Sequence, residues 1–367
     1  MHLALLELNS RNHTSLIRNY LQVGNINGWN MSLYTREDVY EVATNKIADL
    51  SHHKLLMATE ESVWSFLRRC HSDIKENKVD LVIYLTVQDM LPWLALSRFT
   101  ECNTLVTVHN ARAWATGNET HRWRYRLKQF LRKWIAAPAK GYVVNSQNMA
   151  DYMRDNQIDK RVFVMPFSLE TYQGVPRSLS TDRIKIVYPG MVNTDRKRYD
   201  DFIRLASRFP SIDFYLLGKI KPEKEETLFT QLKAFEGDNL HFYTEFVATE
   251  DFDEVMKAAD FIYSDVVTDF RVADFREVYG HTKDSGVSYL IQQYGAPGIL
   301  NRDFANLPHL NEGTFYFKNI NDLVDLLSDR NKLSEQHWRW SVAIQKGNES
   351  ISLRTQAEEL KLFIEEL

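Results

Sequence analysis

The sequence has only two cysteines in 367 residues, Cys70 and Cys102. They sit in unrelated contexts without metal-ligand spacing. That excludes a disulfide framework and a cysteine-built zinc site, and points to reduced thiols in a cytosolic protein. Long apolar runs are also missing. No uninterrupted stretch reaches the roughly eighteen residues a membrane span needs. Residues 1–15 lack a positive leading region, and His2 and Glu7 break their apolar run, so no signal peptide is expected. No repeat period or low-complexity tract occurs. No Gly-x-Gly-x-x-Gly turn is present, which sets aside a dinucleotide oxidoreductase. An excess of one charge is lacking too: the net charge of −4 demands no nucleic-acid partner.

What is present is ordinary globular material, 44% hydrophobic and 26% charged, enough for more than one core. The length fits two or three domains. Short apolar runs alternate with helical periodicity. Strands are expected near residues 2–8, 31–35, 81–85, 104–108, 141–144 and 161–165, with helices between them. The strands read apolar on both faces, the mark of a parallel sheet covered on each side. Ligands in such folds bind at the carboxyl ends of strands. Here those ends carry Asn9, Thr86, Gln88, Asp89, His109, Asn110 and Asn145. The pattern lapses over residues 168–182, a linker, and restarts with strands near 184–188, 214–217, 241–243, 261–263 and 315–317. The expected fold is α/β: two tandem doubly wound, Rossmann-like domains with an interdomain cleft. Their bounds are 1–170 and 171–345. Residues 346–367 form a terminal helix that can pack back on the first domain.

Residues 281–300, HTKDSGVSYLIQQYGAPGIL, read as loop, helix, stop and strand. Val287, Leu290, Ile291 and Tyr294 recur as one helical face. Gly295 suits a left-handed C-cap, and Pro297 forbids continuation. Ser285-Gly286 at the helix start, with Lys283 just ahead, suits an anion, because free N–H groups and the positive dipole end point outward there. A plain serine-capped βα unit would read the same way.

Several segments, in order, resemble the GT-B nucleotide-sugar glycosyltransferases of the retaining family 4/group 1 type. They are TVHN (107–110), VVNSQNMADYM (143–153), KRVFVMPFS (160–168), IKIVYPGMVNTDRKRYDDFIRLA (184–206) and FYLLGKI, followed by NLHFYTEF and DEVMKAADFIYSDVV. Met191 stands where the commoner members have arginine. Thr282 and Leu290 stand where they have two glutamates, the second of which holds ribose hydroxyls. The chain is similar to a subset with Ser-Gly at that helix start.

The resemblance implies a hexosyltransferase moving a sugar from a nucleoside-diphosphate sugar to a saccharide or lipid-linked saccharide, in surface polysaccharide or glycoconjugate assembly. No metal or other cofactor is expected: helix N-termini and basic side chains would carry the leaving diphosphate. The donor-side candidates are Gly190, Arg196, Lys197, Lys219, Lys283, Ser285 and Gly286, with Arg198 beside them. Arg196-Lys197-Arg198 reads equally as a solvated charge run. By resemblance His109 faces the cleft as the catalytic candidate. Asn9, His13 and Asp89 are acceptor-side candidates, Asp89 also as a helix cap. Residues 265–284 lack periodicity and read as a donor-site wall, with Asp274 or Glu277 on sugar hydroxyls, or as a surface loop.

Residues 121–135, HRWRYRLKQFLRKWI, put Trp123, Leu127, Phe130, Leu131 and Trp134 on one face with basic residues around it. The face either covers the first sheet, the preferred reading, or lies on an anionic membrane surface. A cytoplasmic protein, peripheral on the membrane's inner face, would fit. The rival function is a non-catalytic GT-B-like scaffold partnering a related enzyme, favoured by Met191 and Leu290.

Overall fold

The computed structural model describes residues 1–9, 13–45, 47, 51–116, 123–272 and 275–367. Its first sheet holds β1 (His2–Glu7), β2 (Asn30–Arg36), β3 (His53–Met57), β4 (Leu81–Tyr84), β5 (Asn103–Val108), β6 (Gly141–Val144) and β7 (Arg161–Val164). The order is β3-β2-β1-β4-β5-β6-β7, and every pairing is parallel. Its helices are α1 (Thr14–Ile26), α2 (Glu37–Thr44), α3 (Val63–Glu76), α4 (Leu91–Leu96), α5 (Ala111–Ala115), α6 (Trp123–Ala136) and α7 (Gln147–Asp155). The sheet is buried on both faces. Leu3 and Leu5 of β1 enter one core, and Ala4 and Leu6 enter the other. That is why its strands read as unbroken apolar runs.

The second sheet repeats the scheme with β8 (Ile184–Pro189), β9 (Ile212–Lys219), β10 (Leu240–Tyr243) and β11 (Phe261–Ser264). An antiparallel hairpin, β12 (Asp269–Val272) and β13 (Phe275–Val278), follows, before β14 (Gly298–Asn301) and β15 (Thr314–Phe317). The sheet order is β10-β9-β8-β11-β14-β15. The helices are α8 (Asp200–Arg208), α9 (Glu226–Lys233), α10 (Thr249–Ala258), α11 (Gly286–Tyr294), α12 (Ile320–Ser328), α13 (Arg330–Glu349) and α14 (Leu353–Glu365). In each sheet the chain order reverses beside the first strand, between β1 and β4 and between β8 and β11. Those switch points open crevices at the strands' carboxyl ends.

The α/β reading therefore holds. Elements that escaped the periodicity argument are α2, β3, α5, the β12–β13 hairpin and α13. The stretch 265–284 is thus not one loop. Asp274 lies outside the described residues, as do residues 121 and 122 of the basic helix.

α14 returns to the first domain. Phe363 meets Phe163 with ring centroids 5.2 Å apart, and Arg161 pairs with Glu366 at 2.7 Å. The chain thus crosses between the domains twice. Both crossings are fastened to Gln292 of α11, which is fully buried. Its Nε2 donates to the carbonyls of Ser168 and Glu170 at 3.0 Å each. Its own carbonyl accepts from Tyr172 N at 2.9 Å and from Asn348 Nδ2 at 3.0 Å.

α6 departs from the expected packing. Trp123 and Phe130 are 68% and 59% exposed, and Leu127 and Trp134 are exposed with them. The inward residues are Gln129, Arg132, Ile135 and Ala136. The preferred reading, an apolar face laid over the first sheet, is corrected: Trp123, Leu127, Phe130 and Trp134 point outward, and of the five residues of that face Leu131 alone packs against the core. The first domain's core is already closed by Ile135, Ala136 and Ala139.

Candidate functional site

β8 ends at Pro189, and Gly190 turns with φ +91°, a conformation that favours glycine. The turn lies against β9: a Cβ on Gly218 would sit 2.2 Å from the Gly190 oxygen. Opposite it, Ser285 is the extended N-cap of α11, and no side chain caps the helix through it. A Cβ on Gly286 would meet nothing within 4 Å. Between these two backbone features lies a cavity of about 250 Å³. Its walls include Gly190, Arg196, Lys197, Lys283, Ser285 and Gly286, with Met191, Val287 and Leu290 making an apolar end. Helical N–H groups, a glycine turn and three cations around one space are a composition that suits an anion.

The cations are held differently. Lys197 Nζ donates to the Pro189 carbonyl at 2.8 Å and stands 4.9 Å from the centre of the Tyr188 ring. Burial pushes its pKa down to about 8. Arg196 lies over Phe270, its guanidinium carbon 5.5 Å from the ring centre, and Phe270 stacks on Tyr279, a further cavity residue. Lys283 Nζ donates to Asn110 Oδ1 of the first domain at 2.9 Å. Burial lowers its pKa, with Glu277 and Asp284 opposing that shift.

Two basic candidates lie elsewhere. Lys219 faces Glu245 at 3.6 Å instead of the cavity. The physical reason is topological: β9 lies on the far side of β8 from β11 and α11. Arg198 turns to Asp265, 3.6 Å away. Its backbone N–H also donates to the Asp265 carbonyl.

Glu277 does not face the cavity as a free sugar ligand. It is buried, and its Oε2 accepts from the Thr282 hydroxyl at 2.5 Å while Oε1 accepts from Ala113 N at 3.3 Å. It thereby serves the N-terminus of α5 in the other domain. Burial raises its pKa. The Thr282 carbonyl accepts from Ala111 N at 2.7 Å, and Ser146 Oγ donates to Asp284 Oδ1 at 2.7 Å. The Tyr289 hydroxyl lies 2.8 Å from Asp284 Oδ2 and 3.0 Å from the Asn145 carbonyl. These bonds draw the two domains together beside the cavity.

On the first domain, His109 Nε2 lies 2.8 Å from the Leu85 carbonyl and Nδ1 lies 2.9 Å from Asn145 Oδ1. Burial pushes its pKa down to about 3, with His13 acting in the same direction. Both ring nitrogens thus face protein acceptors, and a neutral imidazole, with one N–H, donates to only one of them. His13 stacks on its face, centroids 4.0 Å apart at 18°. Asn9 Nδ2 donates to the Thr86 carbonyl at 2.9 Å. Asp89 is exposed and caps nothing: α4 begins after Met90, in a left-handed conformation, without a side-chain cap.

Asp284, Tyr279 and Glu7 are site residues that the sequence pattern does not single out, whereas Asn110 is among the strand-end residues it does. Glu7 had one readable signal, a carboxylate closing an otherwise apolar strand. Among the described residues, no group of three or more His, Cys, Asp or Glu side chains has a metal-holding arrangement.

Residues 27–173 match the family model described as Glycosyltransferase Family 4. No curated protein gives a significant match. Solved structures similar to the whole chain include HepE of Anabaena in complex with UDP and glucose, at 13% identity and a TM-score of 0.67, covering 100% of both chains. Sucrose-phosphate synthase of Thermosynechococcus elongatus is similar at 14% identity and a TM-score of 0.62, covering 100% of this chain and 98% of that one. UDP-GlcNAc 2-epimerase of Neisseria meningitidis, bound to UDP-GlcNAc, is similar at 11% identity and 0.60, covering 100% of both. The chain has the GT-B fold shared by nucleotide-sugar glycosyltransferases. Within it, the family 4 match lies in the first domain and the linker.

Proposed function

We propose that this protein is a glycosyltransferase that takes a sugar from a uridine-diphosphate sugar bound in the second domain. The acceptor is a saccharide or lipid-linked saccharide facing the first. The observation that carries the reading is the cavity between the Gly190 turn and the N-terminus of α11, with Arg196, Lys197 and Lys283 around it. UDP and UDP-sugars are bound by proteins of similar fold, which supports the choice of nucleotide. A leaving diphosphate needs positive charge in a preorganised site, and this cavity offers it without a metal. Asp284 is the one carboxylate among the described cavity residues, and both of its oxygens face hydroxyl groups of Ser146 and Tyr289. The donor cavity thus supplies charge and position, not a free base, which favours a retaining hexosyl transfer.

The test is thermal shift with UDP, GDP, ADP and UDP-glucose. UDP and UDP-glucose are expected to raise Tm. If no nucleoside diphosphate does so, the protein is a GT-B-like scaffold, the reading that Met191 and Leu290 at the apolar end would then favour.

Lys197 supplies a pH signature. A bound diphosphate favours its charged form, so binding holds a proton that the free site gives up above about pH 8. UDP affinity should be flat from about pH 7 to 8 and fall above that, approaching tenfold per pH unit. In Lys197→Arg that limb should vanish from isothermal titrations. A limb unmoved by this substitution would remove Lys197 from the site.

The reading also gives α6 a role. Exposed Trp123, Leu127, Phe130 and Trp134 are flanked by exposed Arg124, Arg126, Lys128 and Lys133. Leu96 and Trp93 of neighbouring α4 extend the patch, and Trp93 reaches Trp64 with ring centres 6.3 Å apart. Apolar rings among cations complement an anionic bilayer surface, where a lipid-linked acceptor would be met. Among the described residues no helix is long and apolar enough to cross a membrane. Binding to phosphatidylglycerol vesicles, absent with phosphatidylcholine and weakened by salt, is expected. Phe130→Glu with Trp134→Glu should reduce it at least about tenfold, and undiminished sedimentation would sink the membrane role.

A further inference from the structure

Glu7 closes β1 with no exposed surface. Its Oε1 accepts the backbone N–H of Asn9 at 2.7 Å, and its Oε2 accepts the Thr86 hydroxyl at 2.5 Å. Thr86 Oγ1 also lies 2.6 Å from His13 Nδ1, which itself stands 3.7 Å from Glu7 Oε2. A hydroxyl has one hydrogen. Thr86 gives it to the carboxylate, so toward His13 it can only accept. The hydrogen of the neutral imidazole must then sit on Nδ1, leaving the Nε2 lone pair bare. The ring cannot turn freely. It is clamped face-on by His109 and edge-on by Phe167, whose centroid is 5.9 Å away. With 18% of its side chain exposed, His13 retains an opening to solvent. Both His109 nitrogens face protein groups, so among the described residues the nitrogen of this pair without a protein partner is His13 Nε2.

We infer that His13 Nε2 accepts the hydrogen bond of the incoming acceptor hydroxyl, and that Glu7 is a positioning residue which selects this tautomer through Thr86. The assignment of an acceptor to the first domain rests on the function proposed above; the relay itself does not. A hydroxyl that gives its hydrogen to Nε2 keeps its lone pairs for the anomeric carbon. The opposite tautomer would present N–H and tie up a lone pair instead.

The geometry makes Glu7→Gln a reversal of the relay at nearly constant shape. Asn9 N–H still needs an acceptor, so the amide oxygen stays there and its NH2 turns to Thr86. Thr86 must now accept from Gln and donate to His13 Nδ1, which moves the ring hydrogen to Nε2. Long-range proton–nitrogen spectra of histidine-labelled protein at about pH 8, where histidine is ordinarily neutral, read this without a ligand. The wild type should show Nδ1–H and Glu7→Gln should show Nε2–H, with Thr86→Ser behaving as wild type. If the variant keeps Nδ1–H, or the wild type already has Nε2–H, the relay is wrong. Should Glu7→Gln fail to fold, as judged by circular dichroism, the wild-type and Thr86→Ser tautomers still decide.

The contact is read by adding methyl glycosides of glucose, galactose, mannose and N-acetylglucosamine in the presence of UDP. At least one should shift the wild-type His13 Nε2 resonance and bind about tenfold more weakly to Glu7→Gln. If none moves it, or the affinities match, His13 is not the acceptor contact. UDP binding, followed separately by Tm, should be equal in both proteins, so failure of the donor reading shows up independently.

Discussion

Lys283→Ala should lower donor turnover by about two orders of magnitude, the scale of losing one preorganised charge contact at a developing oxyanion. The lysine borders the cavity just before the bare N-terminus of α11. Its ammonium is buried enough that its pKa falls, and Glu277 and Asp284 hold the charge against that fall. Such an ammonium is desolvated before a ligand arrives, so a phosphate gains more from it than from a surface lysine. The same ammonium bridges to Asn110 at 2.9 Å, so alanine removes a domain contact as well. Asn110→Ala separates the two roles: it breaks the bridge and keeps the charge, and should cost less than about tenfold. Steady-state kcat/KM, with whichever UDP-sugar raises Tm most, decides the matter. Equal losses in both variants would make Lys283 a strut and not a phosphate ligand, and unchanged turnover in Lys283→Ala would end the catalytic role given to it here.

Two glycine-to-alanine changes on opposite walls of one cavity should behave oppositely. At Gly218 the new Cβ would lie 2.2 Å from the Gly190 oxygen and 2.8 Å from its carbonyl carbon. Both are backbone atoms of neighbouring strand ends, so no side-chain rotation relieves the clash. The Gly190 turn must move, at a cost of about 1–3 kcal/mol, and Tm should drop. UDP binding should weaken along with it, because the displaced turn is itself a wall of the site. At Gly286 the new Cβ meets nothing within 4 Å. Alanine there suits the first turn of a helix better than glycine by up to about 1 kcal/mol, so Tm should hold or rise. The methyl occupies the approach to the helical N–H groups, and UDP affinity should fall about tenfold or more. A Gly286→Ala protein that binds UDP as well as wild type would show that the diphosphate sits elsewhere. Calorimetric Tm and titration of UDP into both variants check the pair.

The buried strands and the α11 punctuation were legible because apolar runs and caps are local signals. Ser285, Gly295 and Pro297 mark that helix whatever surrounds it. α13 was not legible, because its inward positions include His337, Ser341 and Asn348. Those side chains meet buried partners: His337 reaches the Asp260 carbonyl, Ser341 accepts from Arg177 N, and Asn348 donates to the Gln292 carbonyl. A polar inward stripe defeats a hydrophobic-period argument. The β12–β13 hairpin hid for a related reason, since Asp269 and Arg276 pair across it and dilute its alternation. At the site, the Gly190 turn and the Ser285-Gly286 helix start were local features. The position of Lys219 depended on strand order, and the outward face of α6 on which neighbours had already filled the core. The relay from Glu7 to His13 joins residues of β1, the loop after β4 and the start of α1, a proximity created only by folding.

Gln292 gives α11 a mechanical meaning. Both covalent crossings between the domains are buttoned to this one side chain and its carbonyl, a short way down the helix from the donor cavity. Both crossings therefore share one buried anchor, and the fastening of the two domains stands on the same helix whose N-terminus borders the cavity.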